Sequence, residues 1–148
     1  ECINLKFAIR KEIIEAIRYG FTTFITGMAR GVDIWAAEAV LETSILMGKH
    51  ITLYAAIPYP EQPNSWFGWE QERYEEVLSL CKGIFLVSDK YTSYCMEKRN
   101  HFLVKYAGRI IAVFDGQDGG TANTVALAKK KGIKTVIIDP KTLDKTEE

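Results

Sequence analysis

No stretch of this sequence stays apolar for the roughly 20 residues that a helix needs to cross a bilayer, so a helical membrane span is excluded. Cysteine is scarce and odd in number. Cys2, Cys81 and Cys95 are too widely spaced for a disulfide framework or a CxxC pair, and unpaired thiols suit a reducing cytoplasm. With only His50 and His101 beside them, a structural zinc site has too few ligands. Net charge is absent as well. Nineteen Lys and Arg balance nineteen Asp and Glu, so no field spread over the whole surface attracts phosphodiester backbones or anionic lipid. Any anion site must be local. The familiar catalytic and cofactor signatures are also missing: there is no GxxxxGK[ST], no GxSxG, no HExxH, and no cysteine with a histidine near it in sequence. No metal and no cofactor is expected, and His50 and His101 read as structural.

What is present is enough for one core. The 148 residues are 47% hydrophobic, which is the size and composition of a single compact domain. Apolar residues at Leu5, Ile9, Ile13 and Ile17 step by four along one face and predict a helix from Asn4 to Tyr19, capped by Asn4 and ended by Gly20. Phe21 to Thr26 is short, aromatic and β-branched, and reads as a buried strand stopped by Gly27. Further helices are predicted at Gly31 to Met47, about Trp69 to Cys81, Cys95 to Ala107 and Thr121 to Lys131, alternating with strands at Ile51 to Ile57, Ile84 to Val87, Arg109 to Phe114 and Thr135 to Ile138. Pro58, Pro60 and Pro63 enforce an extended connection long enough to act as a lid.

Five alternations of strand and helix, with strands too uniformly apolar for a wet face, predict a Rossmann-like three-layer α/β/α fold with a mostly parallel sheet. Residues 1–140 form the single domain, and 141–148 a charged tail that is expected to fray. The chain opens Glu-Cys-Ile and runs almost at once into a helix, whereas folds of this type start with a strand, so a first strand is expected to be missing from this chain. Ligands of such sheets bind at the carboxyl ends of the strands, and three segments belong there.

The first is Thr26-Gly27-Met28-Ala29-Arg30-Gly31-Val32-Asp33. Its glycines permit close approach to the backbone, the following helix start offers free N–H groups to an anion, and Arg30 can hold phosphate bidentately. Alternatively Gly27 and Gly31 serve turn geometry alone, Arg30 is solvated, and Asp33 complements the helix dipole. The second runs from Phe114 to Thr124, where Gly116, Gly119 and Gly120 precede Thr121, Asn123 and Thr124. Short polar side chains after a glycine pair can cap the helix or bind phosphate, and capping would need only one of them. The third is Met96-Glu97-Lys98-Arg99-Asn100, in which Arg99 and Asn100 suit a phosphate or ribose, although composition alone favours an ordinary charged helix face. Trp66, Phe67, Trp69 and Tyr74 could stack on a base, or form core or a subunit contact.

Taken in order, TGMARGVD at 26–33, MEKRN at 96–100 and DGGTANT at 118–124 resemble the SLOG superfamily, in particular its bacterial YpsA-like family. The resemblance runs through nearly the whole chain, including AAEAV at 36–40 and IPYPEQ at 57–62. It implies a Rossmann-like fold and a nucleotide-derived ligand held by Gly27, Gly31, Arg99, Asn100, Gly119, Gly120, Thr121 and Asn123.

Two relatives set competing functions. The chain resembles LOG-type phosphoribohydrolases, which release a base from a nucleoside monophosphate, and Arg99 matches their catalytic Arg. Their PGGxGTxxE motif is broken here, because Asp118 replaces the Pro and Ala126 stands where the catalytic Glu belongs. N-glycoside cleavage then lacks its carboxylate, unless Glu38 or a residue of the missing first strand substitutes. The chain is also similar to DNA-processing protein A, with an SGxARGxD-like turn and an RN helix, which implies single-stranded DNA binding; neutral charge and the lack of a basic strip speak against it. The expected function is therefore that of a cytoplasmic nucleotide-ligand-binding protein, a sensor in preference to an enzyme on nucleotide derivatives because no acid–base pair is evident. The ligand is a small molecule, the catalytic residues are unknown, and a homodimer is left open, since relatives often dimerise.

Overall fold

Residues 2–148 are described in a computed structural model of the chain, except that the side chain of Cys2, and with it one of the three thiols discussed above, lies outside the description. Helix α1 (Cys2–Tyr19) is followed by strand β1 (Thr23–Thr26), helix α2 (Val32–Met47) and strand β2 (Thr52–Ile57). A 3-10 turn at Gln62–Ser65 leads into α3 (Gly68–Leu80) and β3 (Gly83–Leu86). Then come α4 (Cys95–Tyr106), β4 (Arg109–Val113), α5 (Gly120–Lys130), β5 (Lys134–Ile138) and β6 (Lys145–Glu147).

The alternation predicted from the sequence holds, and the fold is Rossmann-like. β1, β2 and β3 form a parallel ladder in that spatial order, with Phe24 opposite Leu53 and Ala56 opposite Phe85. β4 pairs parallel with β5 in a second ladder. The pairing is mostly parallel, as expected, with two features the sequence did not announce. The ladders are not joined by strand pairing, and the tail forms a sixth strand, β6, antiparallel to β5, with Thr146 opposite Ile137. Lys145 anchors this strand to the buried Glu12 of α1 at 3.4 Å, and Lys134 pairs with Glu147 across it. A run of charge that looks like a fraying end is held because its partners are fixed.

Strand periodicity assigns the layers. Leu53, Ala55 and Ile57 of β2 point into the core shared with α1 and α2, whereas the intervening Tyr54 meets Phe85, which packs on Phe102 of α4 at 5.0 Å between ring centres. Thus α1, α2 and α3 cover one face, and α4 with α5 covers the other. The four-residue stripe of α1 is buried as predicted: Leu5, Ile9, Ile13 and Ile17 all join that core. Not every strand is covered. Ile84, Phe85 and Leu86 of β3 are 50%, 43% and 50% exposed, against the expectation of strands without a wet face. β3 is the last strand of its ladder, and one helix does not cover both its faces. Among the described residues no helix is long and apolar enough to cross a membrane.

Replacing Ile13, 2% exposed between α1 and its neighbours, should cost about 2–5 kcal/mol as Ile13→Ala, since the cavity left in a close-packed core adds to the lost transfer energy. Urea melts of both proteins test this; a midpoint that does not move contradicts the packing described here.

Candidate functional site

The turn after β1 is organised by its own side chains. Thr26 Oγ1 accepts the Met28 N–H at 3.2 Å, and the Asp33 carboxylate accepts the Ala29 N–H at 3.0 Å. Met28 sits at φ 57 with its side chain wholly buried, and its carbonyl accepts the buried Gln62 amide at 3.0 Å. A non-glycine residue with positive φ has a steric cost, which is borne here because both its side chain and its carbonyl are fixed. The proline-rich connection is therefore bolted to the turn. Gln71 reinforces it by donating to the carbonyls of Pro63 and Trp66 at 3.1 Å each, so the segment does not have the freedom expected of a lid.

Arg99 brings the turns together. Its residue is 7% exposed; Nη1 donates to the Gly27 carbonyl at 2.7 Å and Nε to Asn100 Oδ1 at 3.0 Å. Asn100, 5% exposed, in turn donates from Nδ2 to the Gly120 carbonyl at 3.3 Å and to Asn123 Oδ1 at 3.4 Å. Two adjacent residues of α4 thus tie the turn after β1 to the amino end of α5, although about ninety residues separate those turns in sequence. Gly27 has to be glycine for a packing reason, because a Cβ there would lie 2.9 Å from Arg99 Cδ and 3.1 Å from Asp33 Oδ2.

The helix ends facing this cluster are uncapped. Gly31 precedes α2 at φ 86 and Gly119 precedes α5 at φ 149, and neither helix has a side-chain cap. Their first N–H groups stay available, each end carrying the partial positive charge of its helix dipole. Gly120 does not need positive φ. It has open space where a Cβ would go, so its use is close approach alone.

Not every expected residue joins the cluster. Arg30 points instead to Glu70 on α3, with Nε and Nη2 at 2.8 and 2.5 Å from the two carboxylate oxygens and the guanidinium over the Phe67 ring at 5.2 Å. That carboxylate, held below its ordinary range first by the Arg30 hydrogen bond, occupies the fork that would have met phosphate. Asp33 faces inward but serves the turn. Thr121 is exposed, and the Thr124 hydroxyl donates to the Gly120 carbonyl within α5 at 3.2 Å. Ala126 is exposed, and Glu38 is paired with Arg73, so neither position supplies a carboxylate here. Of the aromatic cluster, Tyr74 is core, with Trp66 packed edge-on against it, while Phe67 and Trp69 lie under Arg30 and Arg73. Gln62 is the residue that sequence reading missed. A polar side chain between prolines gives no signal of burial, though it sits in the IPYPEQ segment noted for its resemblance. Among the described residues no cluster could hold a metal ion.

Burial raises the Asp33 carboxyl above its ordinary value of 3.8, against the Ala29 N–H and the charge of Arg99; burial also lowers Arg99, against the charge of Asp33. An acid raised on folding holds more protons in the folded state, so its contribution is fully present below about pH 3.8 and is lost as pH rises through the higher folded value. Asp33→Asn, which keeps an acceptor for Ala29, should flatten that part of the stability profile. Urea melts across the acid range decide; the same slope in both proteins contradicts the assignment.

A model of the YspA SLOG family matches residues 1–143. The chain is 31% identical over 135 residues to a UPF0398 protein of Bacillus thuringiensis strain Al Hakam, covering 89% of this chain and 72% of that protein. A UPF0398 protein of Bacillus cereus strain 03BB102 matches at the same 31% and the same coverage.

Proposed function

Because the chain belongs to the YspA SLOG family, we propose that its Arg99 cluster binds the phosphate of a nucleotide or nucleotide-derived small molecule, in the cytoplasm. The observation that carries this reading is the environment of Arg99. A buried guanidinium is held by two neutral acceptors, Gly27 O and Asn100 Oδ1, and among the described residues no carboxylate forms a direct ion pair with it. Buried cations without a paired anion are costly, and this one lies between two uncapped helix ends. Nη2 keeps contact with solvent, since it has no partner among the described residues and is not among their buried unpaired atoms. A charge-assisted hydrogen bond contributes about 1.5–3 kcal/mol and a helix end about 0.3–1 kcal/mol, so Arg99 sets the affinity and the helix ends orient the anion.

Binding is favoured over hydrolysis. The position matching the missing Glu is the exposed Ala126, and Glu38 is spent on Arg73, so among the described residues the carboxylate whose charge acts on Arg99 is Asp33, committed to the Ala29 N–H, with the buried Cys95 thiol beside it. Single-strand DNA binding gains no support, because the exposed Arg30 and the half-buried Arg73 are neutralised by Glu70 and Glu38.

A nucleotide or ADP-ribose at about a hundred times its dissociation constant should stabilise the chain by about 2.7 kcal/mol. Arg99→Lys should weaken binding at least about tenfold, since an ammonium lacks the planar fork that reaches Gly27, Asn100 and an anion together. Gly120→Val should block approach while leaving the melting temperature of the free protein within about two degrees, as its side chain enters open space. Thermal melts with AMP, GMP, ADP-ribose and NAD test the set; no shift with any of them contradicts the reading, and base release from AMP would restore hydrolysis.

A further inference from the structure

Among the described residues the two ladders have unlike outer edges. β1 and β4 face each other inside the fold, so the outer edges are β3 and β6. β6 consists of Lys145, Thr146 and Glu147, and its charges are tied down, Lys145 to Glu12 and Glu147 to Lys134. Charge of this kind is a common protection of a free edge against pairing with another strand. β3 has none of it. Its residues are Gly83, Ile84, Phe85 and Leu86, without charge or proline, and the last three are about half exposed.

Backbone pairing shows which groups this edge presents. The Val87 N–H donates to the Ile57 carbonyl at 2.9 Å, in step with Leu86 opposite Ile57 in the ladder. Along a parallel strand, residues bonded to one neighbour alternate with residues turned to the other side. Phe85 therefore turns to β2 with Val87, and Ile84 and Leu86 aim their N–H and C=O groups outward. The Lys82 N–H is taken by the Leu53 carbonyl at 2.9 Å, which closes the ladder ahead of the strand. Side chains alternate across the sheet as well. Ile84 and Leu86 share a face with Ala55 and Ile57, whereas Phe85 lies on the other, against Phe102, whose ring meets that of Tyr106 at 4.9 Å. The edge is apolar on both faces, with free backbone donors and acceptors between them.

We propose that the chain forms a homodimer in which β3 pairs antiparallel with β3 of a second copy, about a twofold axis at Phe85. That register sets Ile84 of each copy opposite Leu86 of the other. Each such pair exchanges both its hydrogen bonds, and the axis repeats them. Phe85 meets Phe85 of the other copy on the opposite face, where aromatic cross-strand pairs are favourable. Charge selects both the partner and the direction. Lys82 precedes the strand and Asp89 follows it; both are exposed, and neither makes an ion pair among the described residues. Antiparallel self-pairing brings Lys82 of each copy to the strand end where Ser88 and Asp89 of the other lie, whereas parallel pairing would set like charge beside like. Moving the axis to Leu86 would send Lys82 toward Lys90, and moving it to Ile84 would set Lys82 opposite Leu86, so Phe85 is the register that fits. An isologous contact of this kind closes on itself, and the charged β6 edges are left outermost, which stops growth at two copies. The dimer stands on strand pairing and does not require the phosphate reading.

Sedimentation equilibrium from about 1 to 500 µM, which spans micromolar to sub-millimolar dissociation constants, tests this. The chain should show a reversible monomer–dimer equilibrium. Leu86→Lys, which puts a charge on the apolar edge, should weaken association at least about tenfold and leave the melting temperature of dilute protein within about two degrees. Lys82→Glu should weaken association at least about threefold, because it sets acid beside acid at both ends of the contact. Combining Lys82→Glu with Asp89→Lys should restore the original constant. That charge pair sits at exposed positions and decides the question even if Leu86→Lys fails to fold. A chain that stays monomeric throughout the range overturns the proposal and leaves the edge to a strand of some other protein. A dimer that persists unchanged in Leu86→Lys overturns it too, since the interface then lies elsewhere. So does a double reversal that associates no better than Lys82→Glu alone, which removes the antiparallel contact between copies.

Discussion

The arrangement depends on one buried guanidinium. Arg99 holds the Gly27 carbonyl on one side and Asn100 on the other, and Asn100 carries the linkage to Gly120 and Asn123. A hydrogen bond to a charged group contributes about 1.5–3 kcal/mol, more than the 0.3–1 kcal/mol typical of a charge at a helix end. The hydrogen-bonded pair therefore sets where the two turns stand, and the helix ends take their aim from it. The demand for glycine at 27 follows directly, because a Cβ there would lie 2.9 Å from Arg99 Cδ and something would have to shift.

The same residues show why two arginines with similar sequence surroundings play different parts. Arg30, in a turn rich in glycine, looks like the phosphate ligand, yet it is exposed and closed on the Glu70 carboxylate. Arg99, in an apparently ordinary charged helix, is the buried one. The Arg30–Glu70 pair and the Gln62 amide instead fasten α3 and its leading connection over the turn after β1. What resembles a ligand contact in the sequence is a structural clasp in the fold.

Much of the fold was legible because it rests on periodicity. The step of four from Leu5 to Ile17, the short apolar runs and the glycines at element ends depend on local geometry, which a sequence states directly. The strand at Lys145–Glu147 was not legible, since its charged residues form a strand only because Glu12, Lys129 and Lys134 await them. The exposure of β3 was hidden for a similar reason: Ile84 to Leu86 reads as buried whatever its place in the sheet. The segments of the candidate site could be named from glycine spacing, but their joining could not. Nothing local to Arg99 announces Gly27 as its partner, and nothing in IPYPEQ announces that Gln62 reaches Met28.

The central claim is that an anion binds between Arg99 and the amino ends of α2 and α5. The most direct measurement is a titration of the labelled protein with AMP and ADP-ribose, followed by amide chemical shifts. The account predicts saturable shifts concentrated at Gly31, Val32 and Gly119 to Ala122, lost in Arg99→Lys. Shifts that centre on Arg30 and Phe67, that scatter without saturation, or that persist in Arg99→Lys would contradict it.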